Sequence, residues 1–125
     1  MQRFKLEDVE LTDPKVVEPP GTLFTGRIGR QKVLIPGAST NFVMNIIHFD
    51  VGVRNKFHIH STDQILIVTD GQGYVVNESE TIQVSQGDII FIPEGEVHWH
   101  GAQEDSSFAH ISLQAAGCKT SQIEE

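Results

Sequence analysis

Short apolar runs, broken every few residues by glycine, proline, asparagine or aspartate, leave this chain one broad class of fold. The breaks fall at Pro36 and Gly37, at residues 50–52, 70–73, 77–80 and 85–88, and again at 93–96. Between them, NFVMNIIHF (41–49), ILIVT (65–69), YVV (74–76), TIQV (81–84), IIFI (89–92) and FAHISLQ (108–114) read as strands. Residues 23–26 and 32–35 are shorter strand candidates. No stretch holds a 3.6-residue apolar period, so nothing competes as a long helix. The expected class is all-β, an antiparallel sandwich or barrel. DGQG at 70–73 reads as a turn between two apolar runs, and NESE at 77–80 as a second hairpin.

A chain of 125 residues suits one domain with a real core, not two. Residues 1–21 are polar and acidic and end in PPG, so they read as an N-terminal arm. A strand through Phe4 and Leu6 is a candidate to pair with another subunit. The barrel is expected over 22–115, and 116–125 reads as a frayed polar tail. The net charge of −8, with no cluster of lysine and arginine, argues against nucleic acid as a partner. No apolar run is long enough to span a bilayer and no secretory signal opens the chain, so no membrane partner is expected. Cys118 is the single cysteine and forms no internal disulfide, which fits a reducing compartment, by default the cytoplasm. Asn77-Glu78-Ser79 matches a glycosylation sequon, but without a secretory signal it reads as hairpin chemistry.

The chemistry concentrates in HIHSTDQ at 58–64. Strand side chains alternate, so His58 and His60 share a face and their imidazoles can meet at one point. Gln64 follows as a third, neutral donor. His98 lies just past the Pro93–Gly95 turn, which would aim a strand end back at the first pair. Three imidazole nitrogens and one amide oxygen make an N3O set with open positions left for water or substrate, suited to a divalent first-row metal. An HxH pair alone is more often packing or accident. The glycine frame around it, Gly52 and Gly71 in one block and Gly87 and Gly95 in the other, raises the metal reading. On the strand at 41–49, Val43, Asn45, Ile47 and Phe49 share one face, with His48 on the other. His110, Ser112 and Gln114 share a face of the last strand, and His100 follows His98 at strand parity. Such residues converging inside one barrel suggest proton handling. A satisfied core histidine is the plain alternative for His110, and a surface position at a strand end the plain alternative for His100.

These two blocks resemble the paired motifs of the cupin superfamily. The resemblance implies a small jelly-roll barrel, metal ligands His58, His60, Gln64 and His98, and a homodimer. The chain departs from the usual pattern in carrying Gln64 in place of glutamate and Ala102 in place of asparagine. The longer run HIHSTDQILIVT with Gly71 and Gly73, PEGEVHWHGA at 93–102, and FTG at 24–26 resemble the small bacterial cupin hydroxynitrile lyases. That resemblance implies a manganese site, His110 as the leading acid/base group with His100 beside it, and a pocket shaped by Asn45, Ile47, Phe49 and Gln114.

A neutral Gln64 leaves the metal its full +2 charge and disfavours higher oxidation states. The expectation is therefore Lewis acid chemistry with manganese, or with iron, nickel, cobalt or zinc. Such a site would act on a small carbonyl or cyanohydrin-like substrate, as a lyase. A quercetinase-like dioxygenase is the second reading and would show itself by oxygen uptake. A non-catalytic small-ligand binder is the third; it would be stabilised by ligand yet lose no activity on metal removal.

Overall fold

The structure is a computed structural model that describes residues 1–12 and 22–125. Ten antiparallel strands make up nearly all of its regular structure. They are β1 (Leu11–Thr12), β2 (Ile28–Leu34), β3 (Phe42–Phe49), β4 (His58–His60), β5 (Gln64–Asn77), β6 (Thr81–Ser85), β7 (Ile89–Ile92), β8 (His98–Ala102), β9 (Phe108–Ala115) and β10 (Thr120–Gln122). Among the described residues one 3-10 turn, Leu6–Asp8, precedes β1.

The sheet curls because β5 belongs to both of its walls. The first half of β5 pairs with β7 and β9, and β9 continues through β3 and β2 to β1. Its second half pairs with β6 and β8, and β8 continues through β4 to β10. The result is an antiparallel jelly-roll barrel, as expected from the sequence.

One expected turn is absent. Residues 70–73 do not reverse the chain; β5 runs straight through them as one strand of 14 residues. The register against β9 shifts between Val68 and Asp70, and Gly71 takes φ +71°. A bulge of this kind bends and twists a strand without ending it. The glycines therefore make a corner where β5 passes from one wall to the other. A Cβ at Gly71 would collide with the Ser107 carbonyl oxygen, so the corner is closed to side chains. The later turns form as read. Asn77 Oδ1 accepts from the backbone N–H groups of Ser79 and Glu80, and Gly87 and Gly95 adopt positive φ.

The C-terminal segment also differs from expectation. Residues 116–125 are not a frayed tail: Thr120, Ser121 and Gln122 pair with His60, Ile59 and His58. Arg54 holds Glu124 through two hydrogen bonds of 3.1 and 2.8 Å, while its guanidinium lies 4.6 Å from the Trp99 ring centre. The polar sequence hides this because the strand is held by pairing and a charge clamp, not by apolar alternation. Of the short early candidates, 32–35 falls largely within β2, whereas 23–26 forms no strand and contributes only a Phe24–Asn55 bridge.

The core lies between the two walls and includes Ile28, Ile47, Phe49, Leu66, Val75, Ile92 and Phe108. Among the described residues eight polar ones are also buried: Asn55, His58, His60, Gln64, His98, His100, His110 and Ser112. Polar groups in such a place must be paired or put to use.

Candidate metal centre

Strand register assembles the four donors. His58 lies directly opposite His98 across β4 and β8, His60 follows on the same face of β4, and Gln64 opens β5. The rings of His58 and His98 are 4.3 Å apart, and those of His60 lie 4.8 and 5.3 Å from them. One nitrogen from each of the three histidines falls within 4.8 Å of the others.

The remaining nitrogens show which atoms are presented. The Lys56 carbonyl accepts from His58 Nδ1 at 2.6 Å, and the Glu96 carbonyl from His98 Nδ1 at 2.9 Å. Carbonyl oxygens only accept, so both rings carry their proton on Nδ1 and keep a lone pair on Nε2. At His60, Nδ1 meets the Thr120 hydroxyl at 2.9 Å, and Nε2 is buried with no protein partner. Gln64 Nε2 donates to Ser112 Oγ at 3.0 Å, which turns the amide oxygen inward until it stands 3.3 Å from His98 Nε2. With the His98 proton on Nδ1, that approach sets two lone pairs against each other. A cation between them relieves it. These residues fit a divalent ion held by three nitrogens and one oxygen.

The donors are also in the right protonation state. Burial, then the neighbouring His98, pushes His58 down to about 3. Burial and His98 take His60 to about 4, and burial lowers His98 itself. All three are neutral at pH 7, as a metal requires.

Beside this quartet sits a second pair. His100 is stacked 5.8 Å from His98, and its Nδ1 lies 3.0 Å from His110 Nε2. Both rings are fully enclosed, and burial holds His100 well below its usual range and His110 at about 4. Phe49 touches both, with ring centres 5.9 and 5.6 Å away. Ile47 lies opposite His110 across β3 and β9, and Asn45 lies opposite Ser112, half-buried on the same face of β3 as Ile47 and Phe49. Gln114 lies further along: its amide donates towards Cys118, and it lines a wide cavity of about 420 Å³ with Phe42, Ser61 and Glu94. His48 faces outward and bonds Gln31 at 2.8 Å, in keeping with its opposite parity.

Two residues of the centre are not apparent in the sequence. Asn55 is buried in the segment before β4 and bonds His100. Thr120, behind His60, belongs to the segment read as a tail. Neither lies at a spacing that local alternation would mark. A narrow cavity of about 70 Å³ reaches His98 between Val75, Ile90 and Ile92, with Glu80 and Glu96 among its lining.

Known proteins share this fold. The solved cupin-like protein from Thermotoga maritima superposes with a TM-score of 0.79 at 27% identity, covering 86% of this chain and 84% of its own. KdgF from Halomonas sp. gives 0.70 at 26% identity over 92% and 94%. In sequence, an (R)-mandelonitrile lyase from Granulicella tundricola is 31% identical over 103 residues, 76% of this chain and 73% of that protein. The Cupin domain family matches residues 45–112, from the middle of β3 to Ser112 on β9, and so takes in all four donors. On that match and the fold that carries it, the chain belongs to the cupin family.

Proposed function

We propose that this protein is a metal-dependent lyase that cleaves, and in reverse forms, a small cyanohydrin-like molecule. The observation that carries the reading is a buried set of three histidines and a neutral Gln64 oxygen in a chain similar to an (R)-mandelonitrile lyase. A divalent ion, manganese first and then iron, nickel, cobalt or zinc, supplies Lewis acidity towards a substrate oxygen when bound. His58, His60, His98 and Gln64 hold it, and Ser112, Lys56, Glu96 and Thr120 keep those donors oriented. His110 and His100 are assigned to the proton. In cleavage the hydroxyl loses a proton, the carbon–carbon bond breaks with its electron pair on cyanide, and that proton ends on cyanide. Phe49 and Ile47 wall the pair from water, with Asn45 and Gln114 further along the pocket. The carboxylates of Glu80 and Glu96 beside the narrow cavity favour a neutral substrate over an anion.

The test is mandelonitrile cleavage by protein loaded with each ion in turn. Activity with manganese, falling about 100-fold or more in His110→Ala, supports the reading. No cleavage with any ion, or an unaffected His110→Ala, would sink it. Oxygen uptake with a flavonol would move the assignment to a dioxygenase, which the neutral Gln64 disfavours.

We further propose a homodimer in the cytoplasm. Support for the dimer comes from the outer face of one wall, where Ile89 and Phe91 of β7 are 70% and 61% exposed. They lie opposite Ile67 and Ile65, which in turn lie opposite Ile111 and Leu113, so the apolar surface is continuous across three strands. Light scattering should give twice the chain mass, and Phe91→Glu should halve it; a monomeric wild type would end the idea. Among the described residues no helix is long and apolar enough to cross a membrane, and the lone Cys118 is free.

A further inference from the structure

Asn55 makes three hydrogen bonds to one residue. Its backbone N–H donates to the His100 carbonyl at 3.0 Å, and its side-chain Oδ1 accepts from the His100 backbone N–H at 2.8 Å. Its Nδ2 stands 3.2 Å from His100 Nε2. A backbone N–H can only donate, so the 2.8 Å bond identifies Oδ1 and leaves the amide no freedom to flip. Nδ2 is therefore the atom that faces the ring, and an amide nitrogen can only donate.

The consequence passes along the pair. His100 Nε2 must offer a lone pair to Asn55, so the ring carries its proton on Nδ1. That nitrogen lies 3.0 Å from His110 Nε2, which must then accept. His110 is left with its proton on Nδ1. This atom is buried with no side-chain partner, and the ring's remaining polar contact is with the backbone of His110 and Ile111.

We infer that Asn55 is a positioning residue that, through His100, fixes which nitrogen of His110 carries the proton, Nδ1, and which keeps the lone pair, Nε2. The inference rests on the proposed assignment of the proton to this pair and sharpens it. In the resting protein the one lone pair of His110 faces the His100 N–H, so hydrogen bonds run in one direction from Asn55 through His100 to His110. The backbone supports the geometry: residue 54 bridges Gly101, and a Cβ at Gly101 would collide with Arg54, so Asn55 and His100 are kept at contact.

The test reads protons directly. In histidine-¹⁵N-labelled protein loaded with zinc, which is diamagnetic, two-bond nitrogen–proton correlations distinguish a protonated ring nitrogen from a bare one. The wild type should show a bare Nε2 and protonated Nδ1 at both His100 and His110. Asn55→Asp should place a proton on His100 Nε2, because a carboxylate oxygen accepts where the amide donated. A protonated Nε2 on His100 in the wild type would overturn the inference even if the variant failed to fold, and so would an unchanged pattern in a folded Asn55→Asp. Protein with the expected protonation pattern but no cleavage of mandelonitrile would count against the proposed reaction and leave the role of Asn55 standing.

Discussion

Gln64 decides how much charge the centre keeps. Its amide is held from behind by Ser112, so its oxygen faces the histidines. Gln64→Glu replaces a neutral donor with an anion and lowers the net charge of a loaded site from +2 to +1. Divalent metal should bind more tightly, as read by competition with a chelator, while cleavage of mandelonitrile slows; tighter binding with equal or faster cleavage would contradict the Lewis acid reading. Thr120 acts one step further out, since its hydroxyl is the partner of His60 Nδ1. Thr120→Val keeps shape but removes that partner. Metal affinity should fall by about 10- to 100-fold with the fold intact by circular dichroism. An unchanged affinity would show that His60 is oriented by packing alone.

At the scale of elements, β5 is the strand on which both walls depend, and Gly71 is its corner. Gly71→Ala meets a positive φ and the Ser107 carbonyl together, so it should destabilise by about 2 kcal/mol or more. Urea denaturation measures this, and a loss under 0.5 kcal/mol (about the scatter of a surface change) would show that the corner relaxes. What was readable in advance follows from how local each signal is. His58, His60 and Gln64 lie within seven residues, and alternation alone places the two histidines on one face. The strand character of β3 and β9, and the outward turn of His48, come from the same rule. The corner in β5 reads as a turn in the sequence because a glycine pair signals positive φ equally in a turn and in a bulge; only pairing on both sides separates them. Strand β10 and Asn55 depend on partners 60 and 45 residues away, and no local pattern encodes those contacts.

For the molecule as a whole, six histidines are the titratable groups that matter most, because burial lowers all of them. An unfolded chain takes up their protons near the ordinary pKa of about 6.5, whereas folded His58 holds out to about 3 and His60 and His110 to about 4. Between those limits the unfolded state binds more protons than the folded state, so stability rises with pH and is lost as pH falls. Each ring that stays neutral in the fold contributes up to about 1.4 kcal/mol per pH unit below 6.5. Three such rings over two units approach about 8 kcal/mol, comparable with the roughly 5–15 kcal/mol that holds a domain together. Glu124, held below the usual carboxylate range by its bonds to Arg54, adds a loss only at lower pH. Metal-free protein should therefore be most stable above pH 7 and unfold between pH 6 and 4, steeply and with uptake of several protons. Urea titrations at half-unit steps from pH 8 to 4 give the curve, and its slope divided by 2.303RT counts the protons. A flat profile from pH 7 to 5 would mean that the rings are already charged in the fold, and the neutral donor set on which the metal centre depends would have to be abandoned.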